Sequence, residues 1–200
     1  MIRVTEYIFN LAKRRKTSRT FSSRPVDWKD VVIAINAACQ APSGSNAQPW
    51  RFLIVTDPQI KRSIRRACEQ GEKEFYSQVN GELRGWLLRR GLNWRKPFLE
   101  EAPLLTLIFS AKKAPYSIQS VWLAVGYVLL VLEALGLGTV TYTPATTTGV
   151  LDILDVPEDF RLEVILPIGF SADEKTKEQK VNPEEVTYIN AWGSSPEINR

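Results

Sequence analysis

The chain has 200 residues, 44% of them hydrophobic and 24% charged, which is enough to bury one core and ordinary for a globular protein. It has no histidine, and its two cysteines, Cys39 and Cys68, lack CxxC spacing. Ser-His-Asp and Cys-His catalysis, histidine-ligated metal and a disulfide framework are therefore set aside, no metal site is expected, and a reducing cytoplasmic compartment fits. The net charge of +4 raises nucleic acid as a partner. Solvated helix faces explain most of that charge, because Lys61, Arg62, Arg65 and Arg66 sit beside Glu69, Glu72 and Glu74. No apolar run follows the basic start, so no leader is expected.

In chain order, Val4, Ile8, Leu11 and Ala12 recur at helical spacing, which predicts an amphipathic helix over 3–16. Asp27 is an N-cap candidate for a second helix over 28–40, with Val31, Val32, Ile35 and Ala38 facing inward. The loop Ala41-Pro42-Ser43-Gly44-Ser45-Asn46-Ala47-Gln48-Pro49-Trp50 follows. Pro fixes φ, Gly permits φ > 0, and Ser and Asn bond their own backbone. Such a loop either cradles a flat, polar-edged ligand or simply connects two elements. A strand is expected over 51–56, and Asp57-Pro58 starts a third helix. Residues 71–96 carry Gly71, Gly81, Gly85 and Gly91 among charges and large aromatics, and read either as a mobile helical lid or as plain helical packing.

Residues 104–110 predict a buried strand and 117–135 a helix apolar almost all round. Its most apolar stretch, Val121 to Leu132, falls short of the roughly 20 residues that span a bilayer, so no membrane partner is expected. Residues 139–143 alternate as a strand, 147–154 form a short helix, 161–168 a strand, and the tail from Ser171 is extended. Interleaved helices and strands predict one domain over 1–200, α/β or α+β, around one mixed sheet.

Two clusters carry chemistry. Arg15-Lys16-Thr17-Ser18-Arg19 places three cations and two hydroxyls at a helix end, which suits a phosphate, with a solvated basic turn as the plain alternative. Thr139-Val140-Thr141-Tyr142-Thr143-Pro144 ends a strand after Gly136-Leu137-Gly138 with a run of hydroxyls.

Taken in order, these motifs resemble the flavin-dependent nitroreductase family. The Arg-Arg-Ser-x-Arg element is matched by Arg15, Lys16, Thr17 and Arg19, and Ala-Pro-Ser-x-x-Asn-x-Gln-Pro-Trp by residues 41–50. The resemblance implies a three-layer α+β fold with a mainly antiparallel mixed sheet, and FMN bound at the interface of an intertwined homodimer. The phosphate would meet Arg15, Lys16, Thr17, Ser18 and Arg19, and the flavin ring would meet Pro42, Ser43, Gly44 and Asn46. Thr141, Tyr142 and Thr143 would form a further flavin edge. The C-terminal basic contact falls nearest to Lys180, since Val181 occupies the matching position.

The chain is more similar still to the iodotyrosine deiodinase branch, whose lid supplies Glu, Tyr and Lys to an amino acid zwitterion. That likeness implies Glu72 on the ammonium, Lys96 on the carboxylate, Tyr76 covering the ring and the Ser45 N–H on the phenolate. Thr143 would be the catalytic contact, bonding flavin N5 and favouring one-electron steps. The implied reaction is reductive dehalogenation of a halotyrosine, with NAD(P)H or a reduced electron-transfer protein as donor. The alternative is a general NAD(P)H-dependent nitroreductase acting on nitroaromatics or quinones, the pattern to which Asn46 and Gln48 conform. A non-enzymatic flavin or nucleic-acid binder is the reading from a different class.

Overall fold

The computed structural model describes residues 3–195. Helix α1 (Val4–Arg14) precedes α2 (Trp28–Ala38), whose start is fixed by Asp27 accepting the Lys29 N–H. Strand β1 (Trp50–Val55) runs into α3 (Pro58–Gln78). There Asp57 accepts the N–H groups of Gln59 and Ile60, and Pro58 opens the helix where no N–H is needed. Then come α4 (Gly81–Arg89), α5 (Phe98–Glu101), β2 (Leu104–Ala111), α6 (Ser117–Ala134), β3 (Gly138–Thr139), α7 (Thr148–Ile153), β4 (Phe160–Gly169) and α8 (Pro183–Val186).

The strands form one sheet in the order β1-β2-β4-β3, antiparallel throughout. A single parallel bridge, Thr17 to Thr139, attaches the segment after α1 to its edge. Side chains along β2 alternate between two cores. Leu104 and Ile108 pack with Val31, Ala34, Val121, Val125 and Leu132 of α2 and α6. Leu105, Leu107 and Phe109 pack with Ile64, Cys68, Leu99 and Val150 on the other face. With helices on both faces, the sheet is the middle of three layers.

Two expectations change. Residues 139–143 are not one strand: only Gly138–Thr139 pairs continuously, and the ladder resumes at an isolated bridge between Tyr142 and Ile165. The lid does not begin as a separate segment, since α3 runs unbroken to Gln78 and buries Gly71 and Glu72. In α1 only Leu11 is buried, while Val4 is 74% and Ile8 50% exposed. The apolar stripe of α1 faces away from this chain's core. So does the outer arc of α6, where Ile118, Trp122, Leu123 and Tyr127 are exposed.

Candidate functional site

A cavity of about 840 Å³ opens between α3, the segment 91–98 and the turn after β3. Glu72, Tyr76, Lys96, Thr141, Tyr142, Thr143 and Arg19 all line it. Residues 72 and 76 lie one turn apart on α3 and so share a face. Gly71 brings α3 close to the turn: a Cβ there would lie 2.2 Å from Thr146 Oγ1.

The polar groups of the cavity are satisfied by one another. Glu72 Oε2 pairs with Lys96 Nζ at 3.0 Å, with both side chains nearly buried. Glu72 Oε1 accepts the Tyr142 O–H at 2.8 Å. Lys96 Nζ also donates to Asn93 O and lies 5.2 Å from the Tyr76 ring centroid. The Lys96 backbone N–H donates to Glu69 Oε1 at 2.7 Å, and Arg65 holds that carboxylate. A positively and a negatively charged group thus face one small space, the arrangement that suits a zwitterion.

Ionisation follows burial. Burial, and then the Glu72 charge, push the Tyr76 phenol upward. Burial pushes the Cys68 thiol up to about 12, and burial followed by Cys68 and Glu72 raises the Tyr142 phenol. All three stay protonated and neutral.

The basic cluster lies at the C-terminus of α1. None of Arg15, Lys16, Arg19, Lys177 and Lys180 pairs with an acidic side chain among the described residues. Lys177 donates to the Ala12 and Lys13 carbonyls at 2.7 and 2.9 Å, capping α1. Its ammonium is pushed downward by burial and then by Arg15 and Lys180. Sequence reading passed over Lys177, because its partners are main-chain atoms more than 160 positions away. Two members of the motif face elsewhere. The Ser18 hydroxyl is buried against Ser171 at 2.9 Å, and Lys16 Nζ donates to the Asp173 and Lys175 carbonyls. Ser18 therefore anchors the tail here rather than presenting a donor.

Tyr142 lines the cavity, and its polar groups all have protein partners. Its N–H and C=O both bond Ile165, at 3.0 and 2.8 Å, and its O–H goes to Glu72. Thr141 and Thr143, to either side of it, are exposed to the cavity.

The loop with Pro42, Ser43, Gly44, Ser45 and Asn46 is preset. Ser45, Asn46 and Gln48 take left-handed φ of 51°, 52° and 45°, which non-glycine residues rarely adopt. The shape is held by the Gln48 N–H on Ser43 Oγ (3.1 Å) and the Gly44 N–H on Ser120 Oγ (3.2 Å). Gly44 is required, since a Cβ would lie 2.7 Å from Tyr116 Cδ2 and 3.1 Å from Pro115 O. The loop does not reach the cavity. It enters β1 at Trp50, opposite Ser110, whereas Thr139 pairs with Ile168, which pairs with Leu104. The two motifs thus sit at diagonally opposite corners of the sheet. They are about 20 Å apart along the strands and about 14 Å across them.

Residues 12–170 match the Nitroreductase family. The chain belongs to the nitroreductase family. It is 53% identical over 170 residues to iodotyrosine deiodinase of Thermotoga neapolitana, covering 85% of this chain and 91% of that one. It is similar, with a TM-score of 0.85 and 51% identity, to the crystal structure of oxidized iodotyrosine deiodinase bound to FMN and 3-iodo-L-tyrosine. That match covers 88% of this chain and 95% of the other. A BluB-like flavoprotein from Clostridium difficile shares the nitroreductase fold at 20% identity and a TM-score of 0.76.

Proposed function

We propose that this protein is an FMN-dependent oxidoreductase that reductively dehalogenates halotyrosines. The observation that carries the reading is the opposed Glu72 and Lys96 pair, with Tyr76 beside it, in a cavity edged by Thr141 and Thr143. A tyrosine zwitterion replaces that internal pair: its ammonium takes Glu72 and its carboxylate takes Lys96. Tyr76 then covers the phenol ring and excludes water. We read residues 71–96 as the lid that completes this enclosure.

The donor set fits FMN. Arg15, Arg19 and Lys180, with Lys177 behind them, are cations without acidic side-chain partners, as a phosphate requires. Thr141 and Thr143 offer hydroxyls toward the ring, and the preset Ser43–Asn46 loop offers fixed backbone to its edge. When bound, FMN supplies the electrons for replacing a carbon–halogen bond with carbon–hydrogen, consuming two electrons and one proton and releasing halide. The protein's part is orientation: Thr143 holds the reacting ring edge, and the Ser45 N–H steadies the phenolate.

One protomer does not bring the loop to the cation corner, so the site is built from two copies. The unpartnered apolar faces of α1 and α6 support a homodimer, as does the tail, where Trp192 is 91% exposed. We place the protein in the cytoplasm, with NAD(P)H or a reduced electron-transfer protein as the reductant.

The test is anaerobic turnover of 3-iodotyrosine or 3-bromotyrosine by the dithionite-reduced, FMN-loaded protein, with released halide measured. Rapid stoichiometric release is expected. Retention of the halide alongside fast nitroarene reduction would replace this reading with the broader nitroreductase one.

A further inference from the structure

The Glu72 carboxylate must stay charged and correctly turned while its partner changes from Lys96 to a ligand. Lys96 cannot provide that continuity, because it is the group that moves to the ligand carboxylate. Tyr142 can. Its phenol bonds the oxygen of Glu72 that Lys96 does not use, so Oε2 is left for the incoming cation. We propose that Tyr142 is a positioning residue that selects zwitterionic tyrosines over simple phenols by holding Glu72 through this exchange.

The surroundings fix the phenol in place. Tyr142 is 7% exposed, its main chain is clamped on both sides by Ile165, and its ring packs edge-on against Phe98 at 5.6 Å. The buried Cys68 belongs to the same apolar cluster as its ring. Buried away from water, the hydroxyl stays protonated and remains a donor. Tyr142 thus links this core cluster to Glu72 at the cavity wall. Gly71 allows it, because the missing side chain lets the 140–146 turn approach α3 next to Glu72. Without the phenol, Glu72 would be a nearly buried carboxylate with no fixed partner once Lys96 leaves, a costly state that weakens ligand binding.

This inference rests on the halotyrosine reading, and the experiment separates the two. Flavin fluorescence quenching of the FMN-loaded protein gives dissociation constants for 3-iodotyrosine and for 2-iodophenol, which has no zwitterion. Tyr142→Phe is expected to lower the preference for iodotyrosine over iodophenol about tenfold, the scale of one hydrogen bond to a charged group. In a Glu72→Gln background the same substitution is expected to lower it no further, since Tyr142 acts through Glu72. Full preference in Tyr142→Phe, or additive losses in the double variant, would overturn the proposal while leaving the reading intact. A wild-type protein with no preference for iodotyrosine would overturn the reading itself. If Tyr142→Phe folds poorly, Tyr142→Met supplies the comparison, because it keeps a large apolar side chain in the pocket and has no hydroxyl.

Discussion

The Glu72 cavity and the 42–48 loop solve the same problem in opposite ways. In the cavity, charged side chains are buried and neutralise one another, so the arrangement is complete within one chain. In the loop, the backbone itself is forced into left-handed conformations and held by neighbouring hydroxyls, while residues 45–48 face outward. The first region waits for a ligand to exchange partners with it. The second waits for a surface. The proposed function makes the zwitterion contacts a property of the protomer and flavin binding a property of the assembly.

The largest effect expected is at the assembly side of that contrast. Replacing Trp122 and Tyr127, exposed on α6, by glutamate should give a folded protein that sediments as a monomer and loses its yellow flavin on gel filtration. A monomer that retains FMN would show that one protomer suffices and would dissolve the distinction. Next in size is the cavity side. Lys96→Ala is expected to weaken 3-iodotyrosine binding about a hundredfold, because a charge-assisted contact is lost and Glu72 is left to be repaid only by Tyr142. FMN affinity should stay within about twofold, in keeping with the separation of the two regions.

The smallest effect concerns pH. The Cys68 thiol is raised from 9.0 to about 12 in the fold, so its neutral form stabilises the native state fully below pH 9.0. That contribution is lost as pH rises toward about 12, at about 1.4 kcal/mol per pH unit for each proton. Tyr142, also raised, adds to the loss at higher pH. Urea midpoints measured from pH 8 upward should therefore fall more steeply for the wild type than for Cys68→Ala. Parallel curves would show that burial of the thiol does not shift its ionisation on folding.

Much of this was legible in residue types. Asp27 and Asp57-Pro58 announced their helices because capping is local chemistry, and each cap partner lies two or three residues away. Helix periodicity puts Glu72 and Tyr76 on one face of α3, whereas Lys96 was assigned to the same space only through the deiodinase resemblance. The bond from Tyr142 to Glu72 was not legible. Alternation along 139–143 does not reveal that one bridge to Ile165 turns its phenol toward α3, 70 residues earlier. Lys177 was missed for the same reason. In α1 the periodicity was right, but sequence shows only that a stripe is apolar, not what covers it.

The diagonal separation of the cation corner from the 42–48 loop has a consequence for handling the protein. If every flavin straddles two chains, pigment loading and subunit pairing are one mass-action equilibrium. Dilution should then bleach the protein, added FMN should raise its melting temperature, and that temperature should climb with protein concentration even at saturating flavin.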